Sequence, residues 1–279
     1  MSLATAPETA VAPEGPRKET GQRPPRAPFR LLRHSLALAG RSLLKTARTP
    51  EQLIDVTLQP VIFVVLFVYL LGGAVSGSTE EYLTFLLPAI MVQTVIFASV
   101  ATGINLNTDI KKGVFDRFRS LPIGRSAPLL GSVLGDMVRF VVCILVLLGF
   151  GAALGYRIGT GPLSAVAACL LVMLFAFALS WASVLLGVVA REPGSVQGIS
   201  FLALFPLTFG TNMIAPTDTL PGWLQWWVGV NPVTDVMEAA RGLLNGGPVA
   251  APVAQTLAWS VALFAVFFPL AVRAYRRKS

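Results

Sequence analysis

Five stretches of this chain carry no Asp, Glu, Lys or Arg over lengths that would cross a lipid bilayer. They are 56–79, 82–108, 158–190, 193–217 and 242–272, which are 24, 27, 33, 25 and 31 residues long. A span needs about 20 largely apolar residues, and the core of a water-soluble domain has no use for so many. Only 13% of the 279 residues are charged and 54% are hydrophobic, with a mean hydropathy of +0.69. Two soluble domains of ordinary size are thereby excluded. The chain reads as an all-α, polytopic membrane protein.

Six spans are expected, at about 53–73, 84–106, 131–155, 163–189, 196–215 and 253–272. The third is interrupted by Asp136 and Arg139. The basic excess, 22 Lys and Arg against 14 Asp and Glu, would suggest nucleic acid in a soluble protein. In a membrane protein it reports topology, so no nucleic-acid partner is expected. With the N-terminus inside, 19 of the basic residues fall on the inner side, and only Arg157 and Arg241 fall outside. That bias predicts a plasma-membrane protein with both termini cytoplasmic and an even number of spans.

Residues 1–28 are rich in Pro, Ala and Glu and nearly devoid of large apolar side chains, so they are expected to form a disordered cytosolic tail. In 29–48, Phe29, Leu32, Leu36, Ala39, Leu43 and Ala47 recur at helical spacing, with Arg30, His34, Arg41, Lys45 and Arg48 on another face. The pattern predicts a basic amphipathic elbow helix in the membrane interface. Contact with a cytosolic partner and simple surface anchoring both fit it.

The loop of about 216–252 places Trp223, Trp226 and Trp227, three of the five tryptophans, within five positions. Asn231-Pro232 then supplies an N-cap followed by proline at the first helical position, and Asn245-Gly246-Gly247-Pro248 ends the pattern. Two short helices on, or dipping into, the outer leaflet are expected. An interfacial aromatic belt explains the tryptophans without a substrate role.

Catalytic and metal motifs are missing. No G-x-x-x-x-G-K-[ST], H-E-x-x-H, G-x-S-x-G or paired-cysteine motif occurs, and His34 is the only histidine. Cys143 and Cys169 lie in apolar segments and read as small buried hydrophobes. The spans also lack the chains of Asp, Glu or His that relay protons. A subunit energised by a separate protein is the economical reading; an ATPase-independent secondary transporter is the rival. Asp136 and Arg139, at i and i+3, are neighbours on one helix face, as a structural ion pair or in a gating or substrate role.

The loop 107–129 is the most distinctive stretch. Lys111, Lys112, Arg117 and Arg119 are interleaved with Phe115, Phe118 and the carboxylates Asp109 and Asp116, and Pro122 ends the run. Attraction to anionic head groups accounts for the cations but not for the carboxylates. Docking onto a protein accounts for both.

The run Gly113-Val114-Phe115-Asp116-Arg117-Phe118-Arg119-Ser120-Leu121-Pro122-Ile123, with Arg125-Ser126-Ala127, resembles the inner loop of ABC type-2 export permeases. Its likeness is greatest to the daunorubicin/doxorubicin-resistance branch. Leu220-Pro221-Gly222-Trp223-Leu224, Asn231-Pro232-Val233-Thr234, Glu238-Ala239-Ala240-Arg241-Gly242-Leu243-Leu244 and Arg191-Glu192-Pro193-Gly194-Ser195-Val196-Gln197 are similar to other segments of that family. The likeness covers about 29–275, as one transmembrane domain. Where that family commonly has an aromatic residue after the outer Thr, Asp235 follows Thr234.

The resemblance implies a six-span, homodimeric permease subunit without enzymatic activity of its own. It would pair with a separate ATPase that binds ATP and Mg, and would export a hydrophobic drug or antibiotic. A lipid-linked or polysaccharide cargo is the alternative. It also implies that 29–48 and 109–122 contact the ATPase, through Lys111, Lys112, Phe115, Asp116, Arg117, Phe118, Arg119 and Pro122. The outer segment would include Trp223, Trp226, Trp227, Asn231, Pro232, Glu238 and Arg241.

Overall fold

The computed structural model describes residues 50–75, 77–114 and 127–278, and among these it contains helices and no strand. The helices are α1 (Pro50–Val75), α2 (Thr79–Lys111), α3 (Ala127–Ala153), α4 (Pro162–Val189), α5 (Pro193–Phe209), α6 (Gly222–Val230), α7 (Pro232–Asn245) and α8 (Ala250–Lys278). The elbow segment 29–48, the tail 1–28 and residues 115–126 lie outside the described residues.

Helix starts follow local chemistry. Ser78 Oγ accepts the Glu81 N–H at 3.2 Å, and Glu80 and Glu81 occupy the first turn of α2, where carboxylates complement the helix dipole. Pro162, Pro193 and Pro232 open α4, α5 and α7, a position where a missing N–H costs nothing.

Five helices, α1, α2, α3, α4 and α8, are long and apolar enough to cross a membrane. The fifth expected span differs. Helix α5 has 17 residues and ends at Phe209, not near 215, which makes it about 25 Å long at 1.5 Å per residue. Residues 210–215 are bent backbone, and Thr211, Asn212 and Met213 within them are buried. Irregular backbone at membrane depth is tolerated when protein covers it. An uncharged run cannot distinguish that arrangement from helix, which is why the expectation overshot.

Helix α2 is the axis of the bundle, packed against α1, α3, α4, α5 and α7. Its residues from Tyr82 to Val100 dominate the larger apolar core. A smaller core of Leu106, Leu129, Val133, Trp181, Val184, Val188, Ala271 and Tyr275 closes the end of the bundle that carries Lys111 and Arg191. Helices α2 and α4 cross closely. A Cβ on Gly103 would lie 2.2 Å from the Ser183 carbonyl oxygen, and one on Gly187 would lie 2.4 Å from the Gly103 oxygen. Small residues let the two backbones touch, as is usual in bilayers.

Candidate functional site

The two short helices expected between the fifth and last spans are α6 and α7, but only α6 lies at the surface. Trp223 and Trp226 are 73% and 70% exposed, whereas the Trp227 indole lies against Gly210. Helix α7 is instead inserted into the bundle, against α2, α4 and α8, and Val236, Met237, Ala239 and Ala240 are fully buried.

Polar side chains secure α7 along its length. Asn231 Oδ1 accepts the Val233 N–H at 3.0 Å and caps α7, with Pro232 after it. Its Nδ2 donates to the carbonyls of Leu207 and Gly210 at 2.8 and 2.9 Å, two acceptors at the end of α5 that have no helical donor. Arg241 donates through Nε to the Phe85 carbonyl at 2.9 Å, through Nη1 to Asn212 Oδ1 at 3.0 Å, and through Nη2 to the Asn212 carbonyl at 2.9 Å. Its guanidinium stacks 3.9 Å above the Phe85 ring, a favourable cation–π arrangement. Asn212 Nδ2 in turn donates to Glu238 Oε1 at 2.9 Å, and the Tyr82 hydroxyl donates to the Ile214 carbonyl at 2.9 Å.

At the far end of α7, Asn245 Nδ2 donates to the Thr84 carbonyl at 2.7 Å and Asn245 Oδ1 accepts the Tyr156 hydroxyl at 2.6 Å. Thr160 Oγ1 donates to the Leu243 carbonyl at 2.6 Å and the Gly159 N–H to that of Leu244 at 2.9 Å. Burial pushes the Tyr156 phenol up to about 12, so it stays a donor at any physiological pH. Asn212, Tyr156 and Thr160 are absent from the residues singled out in the sequence, and Asn245 was read there only as the end of a helix. The usable signal was their polarity inside or beside uncharged runs.

Asp136 and Arg139 pair within the bundle. Arg139 Nη1 lies 3.3 Å from Asp136 Oδ1, and Nη2 donates to the Ala98 carbonyl of α2 at 2.7 Å. Both residues are at most 4% exposed. The charges are thus compensated internally rather than by reaching for the membrane surface.

At the opposite end, Lys111 Nζ contacts Glu192 Oε1 at 3.1 Å, and Lys112 is an exposed residue that caps α2. Phe115, Asp116, Arg117, Phe118, Arg119 and Pro122 lie outside the described residues. Beside Lys111, Asn107 was not singled out in the sequence. Its Nδ2 donates to the Gly187 and Ala190 carbonyls, both at 2.9 Å, binding α2 to the end of α4.

One cavity opens between α1, α2 and α5. It measures about 170 Å³ and is lined by Gln59, Pro60, Phe63, Gln93, Thr94, Phe97 and Phe201, among others. Phe97 and Phe201 meet across it with centroids 5.3 Å apart. Gln93, 2% exposed, has no hydrogen-bond partner for Nε2 among the described residues. Among those residues no group of His, Cys, Asp and Glu could hold a metal ion.

Five bilayer-length helices, three of them packed against a short inserted helix, have the architecture of a multi-pass membrane protein. A family model described as "ABC-2 type transporter" matches residues 33–245, and the chain belongs to that family. It is 44% identical over 259 residues to the daunorubicin resistance ABC transporter permease protein DrrB1 of Streptomyces coeruleorubidus, covering 93% of this chain and 91% of that one. It is 31% identical over 201 residues, 70% of each chain, to the doxorubicin resistance ABC transporter permease protein DrrB of Mycobacterium tuberculosis.

Proposed function

We propose that this chain is the membrane subunit of an ATP-driven exporter that moves a hydrophobic drug or antibiotic out across the plasma membrane. The observation that carries this reading is the 44% identity to a daunorubicin resistance permease over 93% of the chain. ATP and Mg would be bound by a separate ABC ATPase, since the chain has no P-loop. We assign six crossings, with α5 and the bent segment after it together serving as the fifth, and both termini in the cytoplasm. The ATPase docks on the elbow 29–48 and on 109–122, and the permease acts as a homodimer.

The cavity between α1, α2 and α5 suits a flat, apolar cargo. Its phenylalanines offer ring faces, and Gln93 offers a buried amide whose unmet hydrogen bond a cargo oxygen would satisfy.

The test is reconstitution. Proteoliposomes with the permease and its ATPase should move daunorubicin on addition of ATP, and those with the permease alone should not. Transport by the permease alone, driven by a proton or sodium gradient, would remove the proposal.

A further inference from the structure

Of the five crossing helices, α8 has the smallest share of its apolar window buried in protein. One of its faces carries Trp259, Ala262, Val266 and Leu270, all exposed and three or four residues apart, hence in one row. The same spacing carried onward reaches Arg273 and Arg277, with Arg276 beside them, and these three are exposed as well. The opposite face is buried: Ser260, Ala271 and Tyr275 are at most 6% exposed, the last two in the smaller core with Trp181 and Val188 of α4. The arginines therefore stand on the face that α8 turns to lipid.

Their depth gives that placement a consequence. Trp259 and Arg277 are about 27 Å apart along the helix at 1.5 Å per residue, close to the roughly 30 Å of hydrocarbon in a bilayer. With the indole at one interface, Arg277 meets the other, and Arg273 lies one turn further in, where acyl chains join head groups. A guanidinium on the lipid face at that level is costly unless it is paired. Helix α8 contains no Asp or Glu, and among the described residues no ion pair engages Arg273, Arg276 or Arg277. The anion a bilayer supplies at this depth is the phosphate of a lipid head group, and the guanidinium fork matches two phosphate oxygens at once.

A cationic inner end is common among membrane helices and calls for no more than diffuse attraction. Here three guanidiniums within five residues end an unbroken apolar row, so a single molecule reaches both parts. Its chains lie along Val266 and Leu270, and its phosphate lies on Arg273 and Arg277. A zwitterionic lipid brings its own ammonium to compete with the arginines; an anionic one does not.

We propose that Arg273, Arg276 and Arg277, with Val266 and Leu270 beside them, form a binding site for an anionic phospholipid. Its assignment to the inner leaflet rests on the topology proposed above; the site itself does not, and neither does it depend on which cargo is exported.

The test uses the full chain in detergent, titrated with phosphatidylglycerol or with phosphatidylcholine of the same acyl chains, and bound lipid is counted by native mass spectrometry. The parent should hold phosphatidylglycerol about a hundredfold more tightly, from three arginines acting together. Arg273→Gln should lower that preference about fivefold, and the triple glutamine variant should abolish it. Arg273→Lys, which keeps the charge but not the paired donors, should fall between parent and Arg273→Gln; the two single variants keep the proposal testable if the triple variant does not accumulate. Arg157→Gln, in the turn between α3 and α4 at the other end of the bundle, removes the same net charge and should change nothing. Equal affinity for the two lipids would overturn the proposal, as would a loss for Arg157→Gln equal to that for Arg273→Gln. A triple variant that keeps its lipid preference but no longer co-purifies with the ATPase would overturn it too, and would assign the arginines to protein docking. Because the readout is lipid bound to the permease alone, a failure to transport daunorubicin leaves this result standing, and the reverse also holds.

Discussion

Helices α2 and α8 have nearly equal hydropathy, and both read from sequence as plain spans, yet they occupy opposite places in the molecule. In the apolar window of α2 78% of residues are buried inside the protein, against 11% for α8. Apolarity identifies a crossing helix without telling whether its neighbours are lipid or protein. The difference lies in the minority residues. Helix α2 carries Thr84, Gly103 and Asn107, and each meets protein: an amide donor from α7 on the Thr84 carbonyl, the α4 backbone and the end of α4, while Gln93 lines the cavity. Helix α8 presents Leu257, Val261, Val266 and Leu270 outward, side chains that lipid solvates as well as protein would.

The largest test of this contrast is removal of a charge that supports α2. Arg139→Leu deletes the donor to Ala98 O and leaves Asp136 buried without its partner. Unpairing a buried charge costs about 3–5 kcal/mol, so the variant should lose most of its thermal stability in detergent. Replacing both residues by leucine should restore it, because neither charge is then left alone. Val261→Ala on α8, 68% exposed, should leave the melting temperature nearly unchanged. An Arg139→Leu protein as stable as the parent would show that α2 needs no polar support.

A smaller effect is expected where α2 crosses α4. Gly187→Ala sets a methyl group 2.4 Å from the Gly103 oxygen, and backbone cannot yield as a side-chain tip does. Overpacking of this kind costs about 1–3 kcal/mol. Gly73→Ala, where nothing lies within 4 Å, is the matched control and should be neutral or slightly stabilising in its helix. Equal melting temperatures for the two variants would deny that the crossing is tight.

How much of this arrangement could be read beforehand depends on the kind of signal. The crossing helices were legible because hydrocarbon length imposes a run length, and α7 was legible because Asn231-Pro232 and Asn245-Gly246-Gly247 mark its ends. Its insertion was not legible. Val233, Met237, Ala240 and Leu244 make one apolar stripe, and such a stripe faces lipid or protein with equal ease. Lys111 drew attention by charge, yet its contact with Glu192 joins side chains that are 44% and 71% exposed, a setting where ion pairs contribute little. Asn107, uncharged and unremarked, makes one buried and one part-buried bond to the end of α4. Polar residues within an uncharged run carry the information that a search for charges passes over.

The smallest effect belongs to the place where α7 meets α8, and it distinguishes the protein-facing side of α8 from its lipid face. Asp235 on α7 is pushed up from 3.8 to about 6, by burial first and by the Glu238 carboxylate second, while a hydrogen bond from Trp259 of α8 works the other way. A carboxyl whose folded pKa is raised favours the folded protein in its protonated form. That stability is fully present below about pH 4 and is lost as pH rises through about 6. At pH 7.5 the ionised Asp235 is therefore a net cost, on the order of 1 kcal/mol once its partial hydration is allowed for. Asp235→Asn should raise the melting temperature at pH 7.5 by a few degrees and do little at pH 4. The parent should lose stability between about pH 4 and about pH 6 relative to the variant, the span between the unfolded and folded values, with the loss complete by about pH 7. A difference that grows toward acid instead would mean that the Trp259 bond outweighs burial, and that α7 and α8 are held together by the charge rather than in spite of it.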